Sequence, residues 1–216
     1  NLLLALNYQA DPDHASIFAE HVAWGLAQPT DATPHANDRT PGRRLRIGYV
    51  SPDFRQHAVR RYIVPVLCCH APEQMSLFAY AEVLAPDAAP ERLKRLFECW
   101  SNTVGVSAPE GAAQVRADRI DILVDLAGHS GGNRLDVFAL KPAPIQMSWI
   151  GYVNTTGLPA MDYRITEPVL DPPGQPILDP EELLRLPGGA SATIAPPEDV
   201  HDVGPLPALA TGFLTF

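Results

Sequence analysis

"LRIGYVSPDFRQHAV", residues 45–59, opens as an apolar run rich in branched side chains and turns polar at Ser51. A strand without a polar face belongs in a parallel sheet covered on both sides, because neither face meets water. The turn that follows carries Asp53, Arg55 and His57, and residues 57–70 then read as a helix. In open sheets of this kind ligands bind beyond the carboxyl ends of the strands. The stretch therefore points to a fold and to a place where chemistry can sit.

Working outward, strand and helix alternate. "SLFAYAEV" (76–83) reads as a second strand, 87–98 as a helix and "SNTVGV" (101–106) as a short strand. "PEGAAQVRADR" (109–119) reads as a helix with Pro109 in its first turn. "IDILVDLAG" (120–128) is a further strand, 133–140 a short helix, and "IQMSWIGY" (145–152) and "MDYRIT" (161–166) two more strands. This alternation predicts an α/β domain, a doubly wound parallel sheet with helices on both faces. Residues 1–27 carry helical periodicity, with Ile17, Phe18, His21, Val22 and Trp24 to Leu26 on one face and Asp13 or Ser16 as N-cap. Residues 28–42 hold three Pro, three Thr and no large apolar residue, which reads as a linker. Beyond about residue 168 the chain is rich in Pro and Gly and reads as irregular, ending in an apolar strand, "TGFLTF".

Composition narrows the function. A hydrophobic content of 46% supports a sizeable core. The net charge of −9 argues against nucleic acid and anionic membranes, which need a basic surface. The longest uncharged run, 142–161, is interrupted by Pro, Gly, Asn and Thr and makes a poor membrane span. Three cysteines, two of them sequence neighbours, suit a reducing, cytoplasmic compartment rather than a disulfide framework. With Asn at the start and an apolar run at the end, the chain reads as a fragment of a longer protein.

Three polar or Gly-rich loops follow predicted strands: "SPDFRQH" (51–57), "GHSGGNR" (128–134) and "GYVNTTG" (151–157). Their candidate residues are Asp53 and His57 in the first, His129 in the second, and Gly151, Thr155, Thr156 and Gly157 in the third, with Ile150 just before it. An imidazole ordinarily titrates near neutrality, in the range of a general base or acid, and a nearby aspartate can orient it or take the proton itself. Composition alone gives plainer roles, an N-cap for Asp53 and a solvated helix-start residue for His57. No Gly-x-Gly-x-x-Gly spacing and no P-loop lysine is present, so a dinucleotide cofactor is not expected. The seven histidines are scattered without ligand spacing, so no metal is expected.

The first loop, the block from "DILVDLAGHSGGNRLDVFALKPAPIQMSWIGYVNTTGLPAMDYRIT" onward and "EELLRLPG" together resemble the catalytic region of the protein O-linked N-acetylglucosaminyltransferase family, including its bacterial and plant Spindly branches. The resemblance implies a GT-B enzyme: two Rossmann-like halves facing a cleft, preceded by tetratricopeptide repeats. It divides this chain into a helical segment after those repeats (1–27), the linker (28–42), a Rossmann-like N-terminal catalytic half (43–187) and a connector into the second half (188–216). It implies inverting transfer of N-acetylglucosamine from UDP-N-acetylglucosamine to Ser or Thr of protein acceptors, with no metal or other cofactor and no nucleic-acid or membrane partner. The second half supplies most nucleotide contacts. Asp53 and His57 match the residues considered as catalytic base, and Ile150 and Gly151 match residues that line the donor pocket. A glycine at 151 would let a sugar lie against the backbone. Departures from the family pattern are Lys141 for Arg, Ala58 for the Pro after His57, Val59 for the Thr of animal members, Asn7-Tyr8 where animal members carry a further His, and Gly-His-Ser at 128–130. Alternatives left open are fucose transfer from GDP-fucose, as in the plant branch, a non-catalytic interaction fragment, and a nucleotide-sugar epimerase.

Overall fold

The computed structural model describes residues 2–31, 33–84, 91–189 and 204–213. Its elements in chain order are α1 (Leu2–Leu6), α2 (His14–Leu26), β1 (Leu45–Ser51), α3 (Ala58–Cys69), β2 (Met75–Ala81), α4 (Glu91–Lys94), β3 (Cys99–Asn102), α5 (Ala108–Ala117), β4 (Ile122–Asp125), α6 (Leu135–Ala139), β5 (Ile145–Ser148), β6 (Tyr163–Thr166), β7 (Glu182–Arg185) and α7 (Pro207–Thr211). The seven strands form one sheet in the order β3-β2-β1-β4-β5-β6-β7, every pairing parallel. The winding reverses between β1 and β4, which makes the crevice beyond their carboxyl ends the topological switch point.

Each face of the sheet has its own core. On one side Val59, Ile63 and Leu67 of α3, with Leu93 and Phe97, pack on Ile47, Tyr49, Leu77, Ala79 and Val124. On the other, Val115 of α5 and Leu135 and Phe138 of α6 pack on Val50, Phe78, Tyr80 and Leu123, with Trp24 of α2 against them. Burial of each such large side chain contributes about 1.5–3 kcal/mol. The helix starts are built locally. Asp13 caps α2 through N–H donation from Ala15 at 3.1 Å and Ser16 at 3.2 Å. At α5, Glu110 accepts from the Ser107 N–H at 3.1 Å and its Oγ at 2.6 Å.

Several elements differ from the sequence reading. β3 lies at 99–102, earlier than expected, because 103–106 closes a turn with Val106 N–H donating to Thr103 O. β5 ends at Ser148, cut short by a tight turn at Ile150. Of the helix expected over 87–98, only Glu91–Lys94 is helical, and 85–90 lie outside the described residues. The Pro-rich stretch after 168 is irregular at first but delivers an edge strand, β7, that its composition concealed. Of the expected terminal strand over 211–216, the described residues are not extended: Thr211 ends the short helix α7, with Pro207 in its first turn and Gly212 in left-handed conformation after it, and 214–216 lie outside the described residues. The described residues of 28–42 form neither helix nor strand but are fastened down. Asn37 donates to Ile120 O at 3.0 Å and Asp121 Oδ1 at 2.8 Å, and Arg116 pairs with Asp31 at 3.1 Å.

Candidate active site

Parallel pairing puts the carboxyl ends of β1, β4 and β5 on one edge, with Val50 opposite Asp125 and Asp125 opposite Ser148. The loops that leave them touch. A Cβ on Gly132 would stand 3.0 Å from Pro52 Cβ, and one on Gly128 would stand 2.2 Å from Tyr152 Cβ. The three loops singled out in the sequence thus form one continuous surface at the switch point.

The first loop is anchored by Phe54, fully buried against Phe97 and Trp100. Ser51 Oγ accepts the Asp53 N–H at 2.9 Å. Asp53 is not the helix cap its composition suggests. It is buried, with Oδ1 3.1 Å from the Arg55 guanidinium and Oδ2 3.4 Å from His57 Nδ1. His57 itself caps α3: its Nδ1 accepts the Val59 N–H at 3.3 Å, and 38% of its side chain remains exposed. One nitrogen cannot accept from Val59 and donate to Asp53 at once. In the capping tautomer Nε2 carries the proton. In the other tautomer Nδ1–H faces Asp53 and Nε2 offers a lone pair to the solvent side, which is the state a general base needs.

The second loop begins at Asp125, a fully buried carboxylate that accepts N–H groups from Ala127 at 3.1 Å and Gly128 at 2.7 Å. Burial pushes this carboxyl up to about 6 in spite of those bonds. A folded-state value above the unfolded one means that the native state prefers the protonated acid. The associated stability is present below about pH 4 and is lost as pH rises through about 6. Asp125→Asn should therefore abolish a fall of at most about 3 kcal/mol over that window. Urea unfolding of both proteins across pH 4–7 reads the difference directly, and parallel pH profiles would contradict it.

His129 in the same loop is buried. Its Nε2–H donates to Thr156 O at 2.8 Å and its ring meets Trp24 edge-on at 4.6 Å between centroids. Burial, with His21 nearby, drives its imidazole down to about 4, so it is a neutral strut between the second and third loops. Tyr152 joins the same cluster. Its hydroxyl lies 2.7 Å from His21 Nε2, whose Nδ1–H donates to Ile17 O at 2.7 Å, and it accepts from Asn7 Nδ2 at 2.8 Å. Helices α1 and α2 are bolted onto the site loops through this network.

The third loop opens on a strained turn. Ile150 adopts φ +60°, and Gly151 N–H donates to Trp149 O at 2.8 Å, closing a classical γ-turn that a β-branched residue adopts at a cost. A Cβ on Gly151 would lie 1.8 Å from Leu126 O. Its glycine is therefore demanded by the neighbouring loop's backbone, a reason that holds before any sugar arrives. Thr155 and Thr156 are fully buried with their hydroxyls committed to Glu181: Thr155 Oγ1 to Oε2 at 2.6 Å, Thr156 Oγ1 and N–H to Oε1 at 2.5 and 2.8 Å. Gly157, at φ +73°, packs on His21 O, where a Cβ would approach to 2.1 Å. The structure thus brings Asp53, His57, Ile150 and Gly151 to one edge, and gives Thr155, Thr156, Gly157 and His129 to the scaffold beneath it.

Sequence reasoning missed Asp125, Tyr152 and Glu181. Asp125 had a signal, an acid closing an apolar strand before a Gly-rich loop. Tyr152 and Glu181 had none, because their partners lie far away in the chain.

Residues 9–177 match the family described as Glycosyl transferase family 41. The chain is 39% identical over 223 residues to the probable UDP-N-acetylglucosamine–peptide N-acetylglucosaminyltransferase SPINDLY of Arabidopsis thaliana, all of this chain against 24% of that protein. The tomato (Solanum lycopersicum) SPINDLY is 37% identical over 223 residues, with the same coverage. A UDP-N-acetylglucosamine–peptide N-acetylglucosaminyltransferase of Caenorhabditis elegans is 37% identical over 135 residues, 61% of this chain and 12% of that protein. The solved structure of a Thermobaculum terrenum O-GlcNAc transferase mutant superposes with a TM-score of 0.82 at 38% identity, covering 91% of this chain and 38% of that one. The chain spans about a quarter of the length of the curated relatives it matches in full. With a parallel sheet wound about a single switch point and a family match over most of its length, the chain belongs to glycosyl transferase family 41.

Proposed function

We propose that this chain supplies one half of the active cleft of a protein glycosyltransferase that moves N-acetylglucosamine from UDP-N-acetylglucosamine to Ser or Thr hydroxyls. The observation that carries the reading is the Asp53–His57 pair at the switch point of a family 41 sheet. The acceptor hydroxyl attacks the anomeric carbon as the bond to the diphosphate breaks, which inverts that centre. The hydroxyl proton leaves to a base on this edge. His57 serves through Nε2 once Nδ1–H turns to Asp53, and Asp53 serves directly in the variant reading. Ile150 and Gly151 form the floor of the donor pocket. The remainder of the protein, a second Rossmann-like half, contributes the donors that meet the leaving-group charge.

No metal or other cofactor enters this scheme. Among the described residues no helix is long and apolar enough to cross a membrane. Cys68, Cys69 and Cys99 are unpaired, which supports a reducing, cytoplasmic setting. Fucose transfer from GDP-fucose is a second reading: Asn7-Tyr8, where animal members carry a further His, is similar to the plant branch, and Gly-His-Ser at 128–130 is closer to bacterial and plant forms than to animal ones.

The test supplies labelled UDP-N-acetylglucosamine and labelled GDP-fucose separately to the full-length protein and to this chain alone, each with a protein acceptor. Label should pass to protein from the first donor with the full-length protein and not with the isolated chain, which spans only 38% of the solved relative. Transfer from GDP-fucose alone selects the second reading. Equal turnover by the isolated chain would show that the edge described here is a complete site, contrary to the proposal.

A further inference from the structure

The first turn of α3 holds two arginines that its own physics disfavours. The amino end of a helix carries partial positive charge and favours acids, yet α3 has no acidic residue in its first turn and has Arg60 and Arg61 there. Neither forms an ion pair or side-chain hydrogen bond among the described residues, whereas the neighbouring Arg55 is paired with Asp53. Arg61 is exposed and Arg60 half-buried. They stand three and four positions after His57, in the first turn of the helix that His57 caps. The chain as a whole carries −9, a charge that disfavours anions on average. Two guanidinium groups without a partner among the described residues make a local positive patch beside the candidate base, and the helix end adds to their field.

We propose that Arg60 and Arg61 select acceptor polypeptides that carry Asp or Glu close to the modified Ser or Thr. This rests on the glycosyltransferase reading above and names the acceptor chemistry of the same site. A carboxylate near the acceptor hydroxyl reaches these guanidinium groups while the hydroxyl lies at His57. An arginine's planar fork suits a carboxylate better than a lysine would. Exposed pairs of this kind are individually weak and screened by salt. The preference is thus a several-fold bias at low ionic strength rather than an absolute requirement.

The experiment compares two otherwise identical peptides, one with acidic and one with amide residues flanking the acceptor Ser, using the full-length protein and its R60Q/R61Q variant. The acidic-to-neutral ratio of kcat/KM should be about three- to tenfold in the wild type at low salt and fall toward one in the variant and at high salt. A wild-type ratio near one, or a ratio that survives in the variant, overturns the proposal. So does a variant in which KM for the nucleotide sugar rises equally with both peptides, because that assigns the arginines to the donor's diphosphate. Fluorescence anisotropy of the same labelled peptides separates this inference from the reading beneath it. If no peptide is glycosylated, a binding preference for the acidic one that R60Q/R61Q removes still supports the arginine patch, and equal binding of both peptides sinks it.

Discussion

Replacing His57 by alanine in the full-length protein is expected to lower turnover by roughly 10²- to 10⁴-fold, about 3 to 5 kcal/mol of barrier, if the imidazole is the general base. The same change removes the Nδ1 acceptor that caps α3, so stability should fall by about 0.5–2 kcal/mol. The two effects separate by comparison with His57→Asn, which restores a side-chain oxygen to the cap but no base. His57→Asn should recover stability without recovering turnover. Asp53→Asn is the companion. Asp53 caps nothing and is buried against Arg55 and His57, so an amide there weakens the orientation of the base-competent tautomer and should cost turnover as well. Wild-type turnover in both His57 variants, with only stability changed, would reduce the first loop to a helix start.

The largest structural effect is expected at Gly157. A side chain there faces two obstacles. Its φ of +73° is unfavourable for any residue with a Cβ, and that Cβ would lie 2.1 Å from His21 O of α2. The contact is mutual, since a Cβ on Gly25 of α2 would meet Gly157 O at 1.9 Å. Backbone meets backbone, so no side-chain rotation relieves the clash. Gly157→Ala should cost more than about 4 kcal/mol or undock α2, placing it among the exceptional single substitutions. Gly174→Ala is the control, with a similar φ of +86° and nothing within 4 Å of the added carbon. It should cost only about 1–2 kcal/mol of backbone strain. Denaturant unfolding of the two variants reads the difference. Similar costs at both positions would mean that α2 does not rest on this loop.

How much of this was legible follows from where each signal lies. β1 and β4 announce themselves because strands buried on both faces are apolar throughout, and parallel alternation then puts Asp53, His57 and Gly151 on one edge without further information. β7 was not legible. "ELLR" is four residues long, lies at the sheet's edge and follows a Pro-rich excursion, so neither length nor periodicity marks it. The helix at 207–211 had a readable signature, Pro at its start and Gly after its end, which the apolar residues around it obscured. Within the site, residue types fixed by local chain geometry were visible and those fixed by distant partners were not. His57 sits in a turn that its own sequence predicts. Thr155 and Thr156 looked like ligand-binding hydroxyls because nothing nearby in sequence claims them, and Glu181 claims both. His21 read as part of an apolar helix face, and its bond to Tyr152 spans 131 positions of chain.

Hydrogen–deuterium exchange of the full-length protein with and without UDP-N-acetylglucosamine tests the location of the site most directly. Protection on donor binding should appear in the three loops at the carboxyl edge, 51–59, 126–133 and 150–157. The opposite edge, around 34–45 and 144–145, should exchange as before. Protection confined to that opposite edge, or none in any of the three loops, would contradict a donor site at the switch point between β1 and β4.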